Sequence, residues 1–251
     1  MAGVEGRVAL VTGAGRGIGR EAAELLASRG ARVMCVARSE QELAEVGLEY
    51  SVADLGTIEG CARAVTETRE RLGPIEIFVC NHGIGSALER VIWEQDTELW
   101  DETMRVNLDG PFHLSKLVVK DMVERGYGRA VYTSSTAGEF AEHAGSAYNS
   151  SKHGLLGLMR SVAQDGGAYG VTSNAVLPGW VRTDMAERSA IAEAEQRGIT
   201  AEQVWEERAA IYPPGRVATA REVAEMIAFL ASEESSGVSG QAITVALGGI
   251  W

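Results

Sequence analysis

Basic clusters are what this sequence most lacks. Against 35 acidic residues stand 23 lysines and arginines, a formal charge of -12, and no basic run exceeds a residue or two. Binding a phosphate backbone requires clustered cations, so nucleic acid is not an expected partner, and the acidic surface reports mainly on solubility. Cysteine is scarce as well: Cys35, Cys61 and Cys80 lie far apart, two of them in the apolar runs "VMCVA" and "IFVCN". That pattern fits buried free thiols and argues against a disulfide framework or a metal cluster. No apolar stretch approaches the roughly 20 residues that span a bilayer, and the amino terminus lacks the charged and apolar regions of a secretory signal. A soluble, cytoplasmic protein without a membrane partner is expected. The triplet Asn149-Ser150-Ser151 matches a glycosylation acceptor, but it sits inside a more informative motif and is discounted.

What the chain does have is alternation. Short runs rich in Val and Ile near residues 7–12, 32–37, 48–52, 75–80, 129–134, 171–177 and 241–246 read as strands. Segments of helical period near 17–29, 40–46, 57–72, 97–125, 147–169 and 220–232 separate them. Runs such as "VALVT", "RVMCVA" and "IEIFVC" are nearly continuous apolar stretches, as strands covered on both faces should be. The expected fold is α/β, a single-domain, Rossmann-like, doubly wound parallel sheet of about seven strands in the order 3-2-1-4-5-6-7. No repeat or linker divides residues 1–251. One long acidic insertion, 184–216, with Pro213 and Pro214 near its end, reads as a substrate lid.

The first strand runs into "TGAGRGIGREAAELLASRG", with glycines at 13, 15, 17 and 19. Glycine permits a tight turn and close backbone approach, and the following helix offers free N–H groups and a positive dipole end, which suits a pyrophosphate. At the end of the second strand an acid would favour NAD(H) by accepting ribose hydroxyls. Here Ala37 and Arg38 follow one another, and a guanidinium suits a 2'-phosphate. Arg16 adds a second cation, so NADP(H) is favoured over NAD(H).

Tyr148 and Lys152 stand at i and i+4 on one helix face, about 5–6 Å apart between Cβ atoms. Tyrosine has a free pKa near ~10, and an adjacent ammonium makes its proton available near neutral pH. The pair opens the helix after the fifth strand, at the sheet edge where ligands of doubly wound folds bind.

The motif Thr12-Gly13-x-x-x-Gly17-x-Gly19, with Tyr148-x-x-x-Lys152, resembles the short-chain dehydrogenase/reductase family along essentially the whole chain. The resemblance implies a cofactor site that includes Thr12, Gly13, Gly15, Arg16, Gly17, Ile18, Gly19, Arg38, Asp54 and Leu55. It adds Asn81 and Gly83 in "CNHG", where His82 stands in place of the usual alanine. Tyr148, Lys152, Pro178, Gly179, Val181 and Thr183 complete it. The same resemblance implies a catalytic serine about thirteen residues before Tyr148. Ser134 and Ser135 adjoin there; alternation along the strand lets only one face the substrate, and Ser135 is chosen. Asn107 is implied as the residue holding a water that relays protons to Lys152. Ala246-Leu247 departs from the family pattern, which has an Asp before the paired glycines.

The implied reaction is reversible hydride transfer between a nicotinamide and a carbonyl carbon, with Tyr148 as general acid/base, interconverting a small-molecule ketone and secondary alcohol. Ser135, His143 and Trp180 are the candidate substrate contacts. No basic clamp for a carboxylate is evident, which favours a neutral ketone. The alternative is an NAD(H)-dependent 3-hydroxyacid or hydroxyacyl dehydrogenase of the same family. A non-catalytic nucleotide sensor is expected to have lost part of the Ser-Tyr-Lys set, and an epimerase to add a substrate domain. A homo-oligomer, tetramer or dimer, is expected through the helices at 97–125 and 147–169.

Overall fold

Seven strands pair in parallel in one sheet, in the order β3-β2-β1-β4-β5-β6-β7. The structure is a computed structural model and describes residues 3–85 and 90–249. The strands are β1 Val8–Thr12, β2 Arg32–Ala37, β3 Glu49–Val52, β4 Ile77–Cys80, β5 Gly128–Thr133, β6 Val171–Pro178 and β7 Ala242–Val245. The four central ones, β1, β4, β5 and β6, are buried along their whole length; β1 and β4 are almost wholly apolar, whereas β5 and β6 also bury Arg129, Thr172, Ser173 and Asn174.

Alternation along each strand sends side chains to two separate cores. Val11, Val79, Val131 and Val176 meet helices α1 (Gly17–Ser28) and α9 (Ala220–Leu230) on one face. Leu10, Phe78, Tyr132 and Leu177 meet α3 (Ile58–Arg71), α5 (Gly110–Arg125) and α6 (Ser146–Gly166) on the other. Between β1 and β4 the strand order reverses direction, and a crevice opens above their carboxyl ends.

Two segments differ from the sequence reading. The single helix expected over 97–125 is two, α4 (Thr97–Met104) and α5, joined by a wide π-turn at Arg105–Asp109. The N–H of Gly110 reaches back to the carbonyl of Arg105, and the next residue, Pro111, has no N–H to give. The insertion at 184–216 folds as two further helices, α7 (Asp184–Arg197) and α8 (Ala201–Ala210), closed around Ala190, Ala194, Val204 and Trp205.

Helix starts divide by position. Ser39, Thr57, Asp96, Thr183, Thr200 and Thr219 each cap their helix through a side-chain oxygen, the first of them opening α2 (Glu40–Val46). At α1 and α6, whose starts face the crevice, no side chain caps the first turn. Their amide groups remain for another partner. Among the described residues no helix is long and apolar enough to cross a membrane.

Candidate active site

The crevice is one cavity of about 490 Å3, walled at one end by the glycine turn and at the other by α6, β6 and α7. Its size is that of a site for an extended organic ligand.

At the turn, Gly13 and Gly17 have φ of +63° and +56°, values that favour glycine. A Cβ on Gly13 would come within 2.9 Å of His82 Cα, and one on Gly19 would collide with the Gly13 carbonyl. Gly13, Gly15, Arg16, Gly17 and Ile18 line the cavity, whereas Thr12 and Gly19 lie behind it. Thr12, fully buried, accepts the amides of Asn81 at 2.9 Å and His82 at 3.2 Å and so ties β1 to the end of β4. Asn81 in turn donates its amide to the Gly13 carbonyl at 3.4 Å. Asp54, on the wall, accepts the Gly56 amide at 3.0 Å, and Leu55 is buried beside it.

Two arginines line this end, and they differ. Arg38 is exposed on the wall and makes no hydrogen bond or ion pair with any described residue. Arg16 donates to Glu42 at 2.7 Å and lies 3.7 Å from Asp184, the first residue of α7. Glu42 was invisible in the sequence: its partner is 26 residues away, and only the tertiary fold brings α2 over the glycine turn.

At the other end Lys152, with 4% of its surface exposed, donates to the Thr133 carbonyl at 3.0 Å. Its ammonium lies 5.5 Å from the centre of the Tyr148 ring. Burial pulls the lysine pKa down from 10.5 to about 8, a shift the Cys80 thiol partly opposes. Ser134 is buried and donates to the Lys152 carbonyl at 3.1 Å, while Ser135 is half-buried on the cavity wall and accepts the Ala137 amide at 3.2 Å. Asn107 sits in the π-turn with its side chain committed to the backbone of Ile84, accepting at 2.8 Å and donating at 2.9 Å, and it also donates to Ser151 at 3.2 Å. A Cβ on Gly83 would lie 3.2 Å from Asn107 Oδ1 and 3.5 Å from Lys152 Nζ, so this glycine keeps the wall open beside both.

His82 is a structural residue. Its Nδ1 is 2.8 Å from Thr12 Oγ1, and its buried Nε2 has no partner of full hydrogen-bond geometry. Burial, reinforced by the Lys152 charge, lowers its pKa to about 3, so the ring is neutral at any ordinary pH.

Beyond α6, Pro178, Gly179, Trp180, Val181 and Thr183 line the cavity as β6 runs out towards α7. The Trp180 amide donates to Tyr212 at 2.6 Å, and Thr183 caps α7. His143 corrects the sequence expectation: it is exposed and off the cavity wall, and its neighbour Glu142 is on it. Burial raises the Glu142 pKa, against a smaller opposing pull from Arg208. Arg208 was also missed. Buried in α8, it packs on the Trp180 ring at 3.7 Å and donates to Ser189 and Glu193 at 3.1 and 2.9 Å.

The open glycine cradle, the uncapped start of α1 and Arg38, without a partner among the described residues, fit a phosphorylated dinucleotide laid from Arg38 to Lys152. A doubly wound sheet with such a cradle at its switch point is a dinucleotide-binding α/β scaffold. A family model described as Enoyl-(Acyl carrier protein) reductase matches residues 13–249. The 3-oxoacyl-acyl-carrier-protein reductase FabG of Escherichia coli (strain K12) is 34% identical over 250 residues, covering 96% of each chain. The crystal structure of levodione reductase superposes with a TM-score of 0.93 at 32% identity, over 97% of both chains. That of an actinorhodin polyketide ketoreductase variant with NADPH gives 0.90 at 34% identity, over 99% of this chain and 98% of the other. This chain belongs to the short-chain dehydrogenase/reductase family and is an oxidoreductase.

Proposed function

We propose that the enzyme is an NADP(H)-dependent ketoreductase that interconverts a neutral ketone and its secondary alcohol. The observation that carries the reading is the buried Lys152 ammonium 5.5 Å from the Tyr148 ring, on a cavity wall shared with Ser135. When bound, the nicotinamide supplies the hydride in reduction and accepts it in oxidation. Arg38, the glycine turn, Asp54 and Asn81 would hold the adenosine and pyrophosphate, and Pro178, Val181 and Thr183 the nicotinamide end.

Ser135 donates a hydrogen bond to the carbonyl oxygen and thereby holds the developing negative charge. Tyr148 delivers its phenolic proton to that oxygen. Lys152 lowers the energy of the resulting phenolate by its charge. Asn107 holds the loop at Ile84 and the π-turn in place, beside the path by which a proton returns to Lys152. Helices α7 and α8 cover the substrate end and exclude water.

The substrate class is read from the wall. Glu142 and Arg188 contribute one acid and one base, with Gln95, Trp180 and Met185 between. Among the described residues Arg188 is the one arginine at this end of the wall, so no paired guanidinium clamp for a carboxylate stands there. FabG and the polyketide ketoreductase are reductases of oxoacyl and ketide groups by name, which supports a carbonyl substrate here. Assembly as a dimer or tetramer through α5 and α6 belongs to the same proposal; Phe112 on α5 is half-exposed, and light scattering measures the mass.

Tyr148→Phe is the direct test. It is expected to lower kcat by about 100- to 10,000-fold, the range for a lost general acid, while NADPH binding by fluorescence stays unchanged. A variant with near-wild-type turnover on a panel of ketones removes the assignment.

A further inference from the structure

The end of β2 carries no acid, yet an acid stands there. Glu42, in the first turn of α2, folds back over the glycine turn. A Cβ on Gly15 would fall 2.9 Å from Glu42 Cβ and 3.0 Å from its Oε2, with Ala37 Cβ at 3.7 Å. The Glu42 carboxylate thus lines the cavity beside Ala37 and Arg38, where an acid contributed by the strand itself would accept ribose hydroxyls. It is held there by Arg16 at 2.7 Å, and Asp184 takes the other side of that guanidinium at 3.7 Å. Of the two arginines lining this end, Arg16 is therefore ion-paired with Glu42 and close to Asp184, and Arg38 has no partner among the described residues.

We propose that Glu42 is a specificity-determining residue that opposes Arg38. Its carboxylate accepts the ribose hydroxyls of NAD(H), and by holding Arg16 it withholds that cation from the 2'-phosphate of NADP(H). The enzyme then binds both cofactors, with its preference for NADP(H) compressed. A phosphate dianion meets one available guanidinium and one facing carboxylate, whereas an unphosphorylated ribose meets the carboxylate as an acceptor. The inference rests on the dinucleotide site proposed above and concerns which dinucleotide the site takes.

Calorimetric titration of the full chain with NADPH, NADH, 2',5'-ADP and 5'-ADP separates the two questions, because it reads binding without turnover. The wild type is expected to bind NADPH more tightly than NADH. Glu42→Gln should tighten NADPH and 2',5'-ADP about tenfold, equivalent to about 1.4 kcal/mol, and weaken NADH several-fold. Glu42→Ala, which also removes the packing over Gly15, should give the same sign for the phosphorylated ligands. Arg38→Ala should weaken NADPH and 2',5'-ADP while leaving NADH and 5'-ADP near wild type. If both Glu42 variants change the phosphorylated and unphosphorylated ligands in equal proportion, or change neither, the role given to Glu42 is wrong. A wild type that prefers NADH instead overturns the NADP(H) reading beneath it, and the proposal with it.

Discussion

Lys116, Lys120 and Lys152 are the only lysines in the sequence, and Lys152 is the buried one. A charged ammonium in that position is unfavourable to the fold, and the sign can be worked through. Its folded pKa, about 8, lies below the ordinary 10.5. Between those values the unfolded chain holds a proton that the folded chain has released, so stability rises with pH across that window. Below it both states are protonated, and the full penalty stands, on the order of 3 kcal/mol. Lys152→Met should therefore raise the urea midpoint at pH 7 while abolishing turnover, a trade of stability for function visible in one denaturation curve and one assay. In the wild type, kcat/KM for ketone reduction should fall as pH rises through about 8, where the free enzyme loses the charge behind Tyr148. This residue pair was legible early because i and i+4 on a helix share a face whatever the rest of the chain does. Glu42 and Arg208 were not, since their roles depend on contacts between elements that no local pattern encodes.

At the scale of elements, β1, β2 and β4 were readable because burial on both faces leaves an almost unbroken apolar run, whereas β5 and β6 bury polar side chains such as Arg129 and Asn174. The proposed lid, 184–216, was readable only as a long gap. Its buried stripe in α7 is made of alanines, Ala190 and Ala194, which contrast too little with their neighbours to mark a helix face. Arg208 supplies much of what fastens α8 to α7, through Ala186, Ser189 and Glu193, and it seats both against Trp180. Arg208→Ala removes the guanidinium from Ala186, Ser189 and the Trp180 face and leaves Glu193 with Arg197 alone. Proteolytic cleavage within 184–216 should accelerate, and KM for the ketone should rise about tenfold as the cover loosens. NADPH affinity should stay within about twofold, because the contacts of Arg208 are to α7, Trp180 and Trp205 and none is to the glycine turn. Equal losses in both affinities would show that the lid serves the whole cavity.

For the molecule as a whole, the sheet is a partition between two cores that share only its backbone. Phe78 and Tyr132 meet edge to face at 5.9 Å on one side of it, fully buried and away from the cavity wall. Phe78→Ala should cost about 3–5 kcal/mol, the range for a truncated buried aromatic. Loss of activity should then follow the unfolded fraction on heating, with kcat of the surviving folded enzyme unchanged.

The π-turn between α4 and α5 inserts one residue of phase into what would otherwise be a continuous helix. Leu99 and Thr103 in α4 and Val106 at the start of the turn share a face and line the cavity. Continued without interruption, that stripe would pass through His113, Leu117 and Asp121, at 3.6 residues per turn. The side chains that enter the core are instead Leu114, Val118 and Met122, each one position later. The extra residue turns the two halves by about 100° relative to one another, so one rod carries a ligand-facing stripe at its start and a core-facing stripe at its end. Deleting Asp109 would align the stripes and force a choice between them: a folded sheet with Leu99 and Thr103 swung out of the cavity, or an intact cavity above a broken core.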